Sequence, residues 1–183
     1  MNNLIKYGLA AGGLNVIGWF VGNWLTNDNS SISLSEYLGY VAMLLSLSLV
    51  FFGIKDYRDN ELNGHISFIQ GIKKGMVIVL TAAIIYVIGW EIYFPNFMID
   101  FGEDYQNKLL MDLENQGLNA QQIASEKEKL ANWLNNYQNP FIRIGLTFSE
   151  IFPVGLIVTL ISSSLLSKKS NEWLICIKNE QQY

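Results

Sequence analysis

Four polar residues lie in stretches that are otherwise almost wholly apolar: Asn15, Glu36, Glu91 and Glu150. Carboxylates in such a setting are the residue types that bind a cation or carry protons, because desolvation and mutual repulsion raise carboxyl pKa values. Helical spacing gives their depth. Glu150 lies seven residues past Arg143, about 10 Å along a helix, and Glu91 three residues before Phe94, about 5 Å. Glu91 and Glu150 are therefore expected in one layer near the same membrane face, where Glu36, at the start of its own span, approaches them. The competing expectation is that Glu91 reaches water while Glu150 is neutral or bonded to a neighbouring helix. No further acidic or basic residue in the inner half of either span extends these groups into a relay. Pro153 follows Glu150 by three residues, so it frees a carbonyl and kinks the helix there. Asn15 sits mid-span and needs a hydrogen-bond partner.

Other chemistry finds little support. Cys176 is the single cysteine and His65 the single histidine, which excludes an intramolecular disulfide and a His-rich metal site. The net charge of −4, with no long basic run, argues against nucleic acid. No Gly-rich phosphate loop, HExxH helix or Ser/Cys–His pairing is present. The expectation is therefore no enzyme, no cofactor and no metal; an intramembrane enzyme using the same carboxylates is the weakest reading.

The elements that position these residues are apolar helices. Half of the 183 residues are hydrophobic and 15% are charged, against about 25% charged in soluble domains. A bilayer core about 30 Å thick needs about 20 apolar helical residues. Four windows qualify, roughly 4–25, 34–54, 72–94 and 141–166, and together they predict one all-α four-span membrane domain over 1–183. The first window has a weak n-region, an overlong apolar part and no Ala-x-Ala site, so it reads as an uncleaved span. Thr26 to Ser33 carries no Lys or Arg, whereas Lys55, Arg58, Lys73 and Lys74 follow the second span and Lys168, Lys169 and Lys178 the fourth. The positive-inside bias then places both termini in the cytoplasm, with a bacterial inner membrane as the location.

The third connection, Pro95 to Pro140, is expected outside; it holds seven acidic residues against three lysines. Phe97, Phe101, Tyr105, Leu109 and Leu113 recur every four residues, one stripe of a helix. Gly117 ends it, and Asn119 with Gln122 has capping-box spacing for a second helix. That helix shows Ile123, Leu130, Leu134 and Tyr137 on one side and stops at Asn139-Pro140. An outward helical hairpin follows, serving either as ordinary packing or as a surface for a partner.

The charged stretch 53–75 reads as a cytoplasmic connector between the second and third spans. Asn63-Gly64 is a turn dipeptide, and Ser67 with Gln70 caps a helix beginning at Phe68. Lys73 and Lys74 snorkel toward headgroups, as Lys55 and Arg58 do, while Asp56, Asp59 and Glu61 leave the patch nearly neutral. The run Lys55-Asp56-Tyr57-Arg58-Asp59 is the candidate cytoplasmic contact. In the first span Gly8, Gly12, Gly18 and Gly22 form a small-residue stripe for close helix packing, within the chain or in a homodimer. Trp19, Trp24, Trp90, Tyr93 and Trp173 fit interface positions, with Trp19 a candidate for internal packing. Trp173 to Ile177 reads as an apolar patch on the membrane surface.

Gly53-Ile-Lys-Asp-Tyr-Arg-Asp-Asn60, then Asn63-Gly64, Ile66-Ser67-Phe68 and Gly71-Ile-Lys-Lys-Gly75, resembles a family of small bacterial membrane proteins common in Bacteroidota, domain of unknown function forty-one ninety-nine. Tyr86-Val-Ile-Gly-Trp90 and the stretch Glu150 to Lys169, beginning Glu150-Ile-Phe-Pro-Val-Gly155, are similar too; His65 lies outside the pattern. The resemblance implies four spans, a charged loop after the second and a helical outward segment; it implies no activity. The functional expectation is an integral membrane component acting through contacts with itself, as a homodimer, or with another membrane protein. The alternative is a small ion or proton transporter or channel using the intramembrane carboxylates.

Overall fold

The computed structural model describes residues 2–25, 32–97 and 119–167, with 106, 107, 109, 111 and 113 between them. Among these residues there are helices and no strands. In chain order they are α1 (Asn2–Leu25), α2 (Ile32–Leu47), α3 (Leu49–Glu61), α4 (Phe68–Phe97), α5 (Ala120–Tyr137) and α6 (Pro140–Leu166). Four stretches are long and apolar enough to cross a membrane: Asn3–Gly22, Tyr37–Glu61, Phe68–Asn96 and Pro140–Leu166. The chain is an all-α protein of four membrane-spanning helices.

The second span is two helices joined at Ser48. The break is slight: Ser48 N–H still donates to Leu44 O at 3.0 Å, and Phe51 N–H turns to Ser48 O at 3.0 Å, a tighter step than the α-helical one. Ser46 and Ser48 hydroxyls bond back to Met43 and Leu45 carbonyls, which offers the backbone an alternative to its regular ladder.

Small residues set the packing. A Cβ at Gly8 would lie 2.5 Å from Thr81 Cβ and 2.8 Å from the Ile78 carbonyl oxygen. At Gly12 it would lie 2.7 Å from Ile85 Cβ and 2.8 Å from Ala82 O. α1 therefore lies backbone-close and parallel on α4. On the other side of α4, Gly71 faces Ser163, Gly75 faces Thr159 and Gly155 faces Val79, so α6 runs antiparallel. The hydroxyls of Thr159 and Ser163 are buried without a hydrogen-bond partner; they point toward glycine Cα–H groups, which are weak donors. α4 is the central helix. The stripe proposed for α1 is thus divided: Gly8 and Gly12 are closed within the chain, Gly18 meets only Ala42 Cβ at 3.3 Å, and a Cβ at Gly22 would meet nothing within 4 Å.

The start of α1, the turn between α3 and α4 and the end of α6 share one end of the bundle. The charged run there corrects the sequence reading: Lys55 to Asp59 lie in α3, not in a connector. The helix outlasts its apolar part because Asn60 donates to Asp56 one turn back, at 2.6 Å. It stops only where Asn63 (φ 51°) and Gly64 (φ 83°) enter the left-handed region, with His65 N–H closing the turn on Leu62 O at 3.1 Å. Two positive φ values are the type I′ signature, for which Asn-Gly is the favoured pair. α4 then starts at Phe68 under a reciprocal Ser67–Gln70 box.

Of the segment between the third and fourth spans, α5 is described in full. Asn119 and Gln122 form the capping box, and Leu130 and Tyr137 are buried. Phe101, Tyr105 and Gly117 of the expected first limb fall outside the described residues; Leu109 and Leu113 are helical. Trp24, Trp173 and Cys176 also fall outside the described side chains.

Candidate functional site at the aromatic end of the bundle

The opposite end is built around Arg143, a residue that the sequence reading used only as a depth marker. α5 and α6 are joined by two residues. Pro140 starts α6, and the Asn139 side chain accepts from Phe141 N–H at 3.0 Å, which fixes the first turn. That places Arg143 one turn in, facing α4. Its Nε donates to Glu91 Oε1 at 2.8 Å and its Nη2 to Glu91 Oε2 at 2.6 Å. The pair is bidentate and mostly buried, with side chains 8% and 23% exposed, the geometry in which guanidinium and carboxylate bind most strongly.

The remaining valence of the guanidinium points back to α5. Nη1 donates to the Tyr137 carbonyl oxygen at 3.2 Å, meeting the negative end of the α5 dipole. The guanidinium carbon also lies 4.6 Å from the Phe94 ring centroid. Tyr137 is held a second time, since Trp90 Nε1–H donates to its hydroxyl at 2.8 Å. Its ring packs edge-on to Phe94 at 5.3 Å and stacks with Trp133 at 4.8 Å. Burial raises the Tyr137 phenol above its ordinary pKa, with the Trp90 hydrogen bond opposing. Trp19 completes the aromatic layer from α1, 4.8 Å from Tyr86 and 5.0 Å from Trp90; it packs internally rather than at the interface.

Three of the four proposed polar residues have described side chains, and each stands in its own surroundings. Glu91 belongs to Arg143. Glu150, two turns deeper on α6 than Arg143, is exposed, with Tyr86 of α4 as its neighbour. Asn15 is buried, and its amide donates at 3.3 Å to Ala11 O of its own helix. Glu36 lies in the first turns of α2, and its side chain is outside the described residues. Among the described residues no group of three or more His, Cys, Asp or Glu could hold a metal.

The match to known proteins is with a family, over nearly the whole chain. The model of the family described as "Protein of unknown function (DUF4199)" matches residues 6–168. The chain belongs to this family. No curated protein and no solved structure matches it. The DUF4199 match takes in the last three spans, the first from residue 6 onward, and both residues of the Glu91–Arg143 pair. The bilayer is therefore one partner of this DUF4199 protein, through four membrane-spanning helices.

Proposed function

We propose that this DUF4199 protein is a non-enzymatic membrane component that acts through contacts, with α5 as the contact element. The observation that carries this reading is the Arg143–Glu91 pair. A carboxylate gripped by both donors of a buried guanidinium is ill-suited to loading and releasing a cation. The same guanidinium caps α5 and fixes its angle to the bundle. The chemistry that a transporter would use is taken up here in holding an arm. With Tyr137 and Leu130 turned inward, α5 exposes Lys127, Glu128 and Lys129, and Lys129 pairs with the half-exposed Glu126 at 2.7 Å. Lysines gather at the end bearing the chain start, and acidic residues in the 95–140 segment. This asymmetry supports cytoplasmic termini and an outward arm in a bacterial inner membrane.

A photoreactive residue at Glu128 or Ala131 should trap one discrete neighbour in intact cells, either a second copy or another membrane protein. A smear of adducts matching that of an unrelated four-span protein would remove the contact reading.

A further inference from the structure

The geometry points to a girdle of lysines at the end of the bundle opposite Arg143, made to bind the phosphate headgroups of anionic phospholipids. It rests on the four-span fold and not on the contact reading of α5. Three helices supply the girdle: Lys6 from α1, Lys55 from α3, and Lys73 and Lys74 from α4. Their levels follow from the packing. Lys74 Nζ stands 4.4 Å from the Tyr57 ring centroid, which sets α4 residue 74 level with α3 residue 57. A Cβ at Gly53 would touch both Ile78 and Tyr7, which sets Lys6 within about one turn of Lys55. All four lysine Cα atoms therefore fall in a layer about 6 Å deep.

The acidic residues of this end neutralise the layer only in part. Asp59 is bonded to Arg58 at 2.7 Å, and Asp56 accepts from Asn60. Asp59 and Glu61 also lie four and six residues beyond Lys55 toward the end of α3, about 6 and 9 Å further out. Of the girdle lysines, none forms an ion pair among the described residues. Counting residues 2–7 and 55–74, five cations (Lys6, Lys55, Arg58, Lys73, Lys74) face three anions (Asp56, Asp59, Glu61), a surplus of two.

On the membrane side of the layer the exposed residues are apolar. Phe52 lies one turn inside Lys55, Leu9 one turn inside Lys6, and Leu80 beyond Lys74. Acyl-facing surface, then ammonium groups that form no ion pair, then Asp59 and Glu61 toward water is the order in which a leaflet offers chains, phosphates and solvent; Asp56 stands within the lysine layer. The occupant is an anionic glycerophospholipid in the leaflet at this end.

The test uses the full-length protein in bilayers, with spin-labelled phosphatidylglycerol and phosphatidylcholine as probes of the motionally restricted lipid shell. Selectivity for phosphatidylglycerol should fall at least about fivefold in the Lys6→Gln/Lys55→Gln/Lys73→Gln/Lys74→Gln variant, the factor that a single surface lysine carries. High salt should reduce the wild-type selectivity, and the matching four-arginine variant should retain it. Lys127→Gln/Lys129→Gln in α5 should leave it unchanged. Selectivity that survives the four glutamine substitutions, or that falls as far with the α5 pair, would overturn the girdle. If the glutamine variant fails to insert, the arginine variant decides: full selectivity supports the girdle and lost selectivity contradicts it.

Discussion

Replacing Arg143 by Ala is expected to cost about 3 kcal/mol or more of stability, the lower part of the range for breaking a buried ion pair. The reason is what stays behind. Glu91 keeps a carboxylate that is about three-quarters buried and loses both donors, in surroundings made of Trp90, Phe94 and Tyr137. The Tyr137 carbonyl loses its donor at the same time. Glu91→Leu leaves the guanidinium with Tyr137 O and the Phe94 face only, and its cost should be similar. The double variant Glu91→Leu/Arg143→Met leaves no stranded charge, so it should lose less than the two single changes summed, and less than Arg143→Ala alone. Equilibrium unfolding in mixed micelles measures all four corners of this cycle. Strict additivity would mean that the two side chains do not act as a pair.

The second large effect belongs to α1. Gly12→Val or Gly8→Val should destabilise the bundle by about 1–3 kcal/mol each through overpacking. At both sites the obstacle includes a backbone carbonyl oxygen of α4 at 2.8 Å from the new Cβ, which no rotamer change removes. The helices would have to separate along their whole contact, from Gly8 against Ile78 to Trp19 against Gly89. Gly13→Ala and Gly22→Ala are the controls, because a Cβ there meets nothing within 4 Å. They should be neutral, or slightly stabilising through lost backbone entropy in the unfolded chain. If Gly8→Val left folding intact and changed only the oligomeric state, the Gly8–Gly12 face would be a homodimer surface and not a seam of the monomer.

Much of this architecture is legible from residue order, for identifiable reasons. The four spans show because hydrocarbon tolerates no unsatisfied backbone, so each must be a long apolar helix. Asn63-Gly64, Ser67 with Gln70, and Asn119 with Gln122 show because turn and cap chemistry is local and needs no tertiary context. Lys55 to Asp59 misled because polarity marks the membrane edge, and α3 simply continues past that edge until its left-handed turn. The Gly71, Gly75 and Gly155 contacts passed unread as packing because each needs a partner on another helix.

Arg143 is the instructive omission. A cation near the end of an apolar run reads as an interface residue, and a carboxylate near the end of another as a snorkelling one. Yet Glu91 lies four residues before Pro95 and Arg143 three after Pro140, on spans joined by one connection. Antiparallel packing brings two such residues level, and opposite charge then supplies the reason to meet. That symmetry about the connection was the available signal. Glu150 has no such counterpart, and its neighbour Tyr86 is an aromatic that sequence alone would assign to ordinary packing.

The central claim is that Glu91 and Arg143 form a latch that sets the angle of α5. Amide hydrogen exchange of the last α5 turns, around Trp133 to Tyr137, tests it most directly, in the intact protein and in Arg143→Met, under conditions where both keep four protected spans. The latch predicts strong protection of these amides in the intact protein and faster exchange in the variant, confined to α5 and the first turn of α6. Unchanged protection of α5 in Arg143→Met would contradict it.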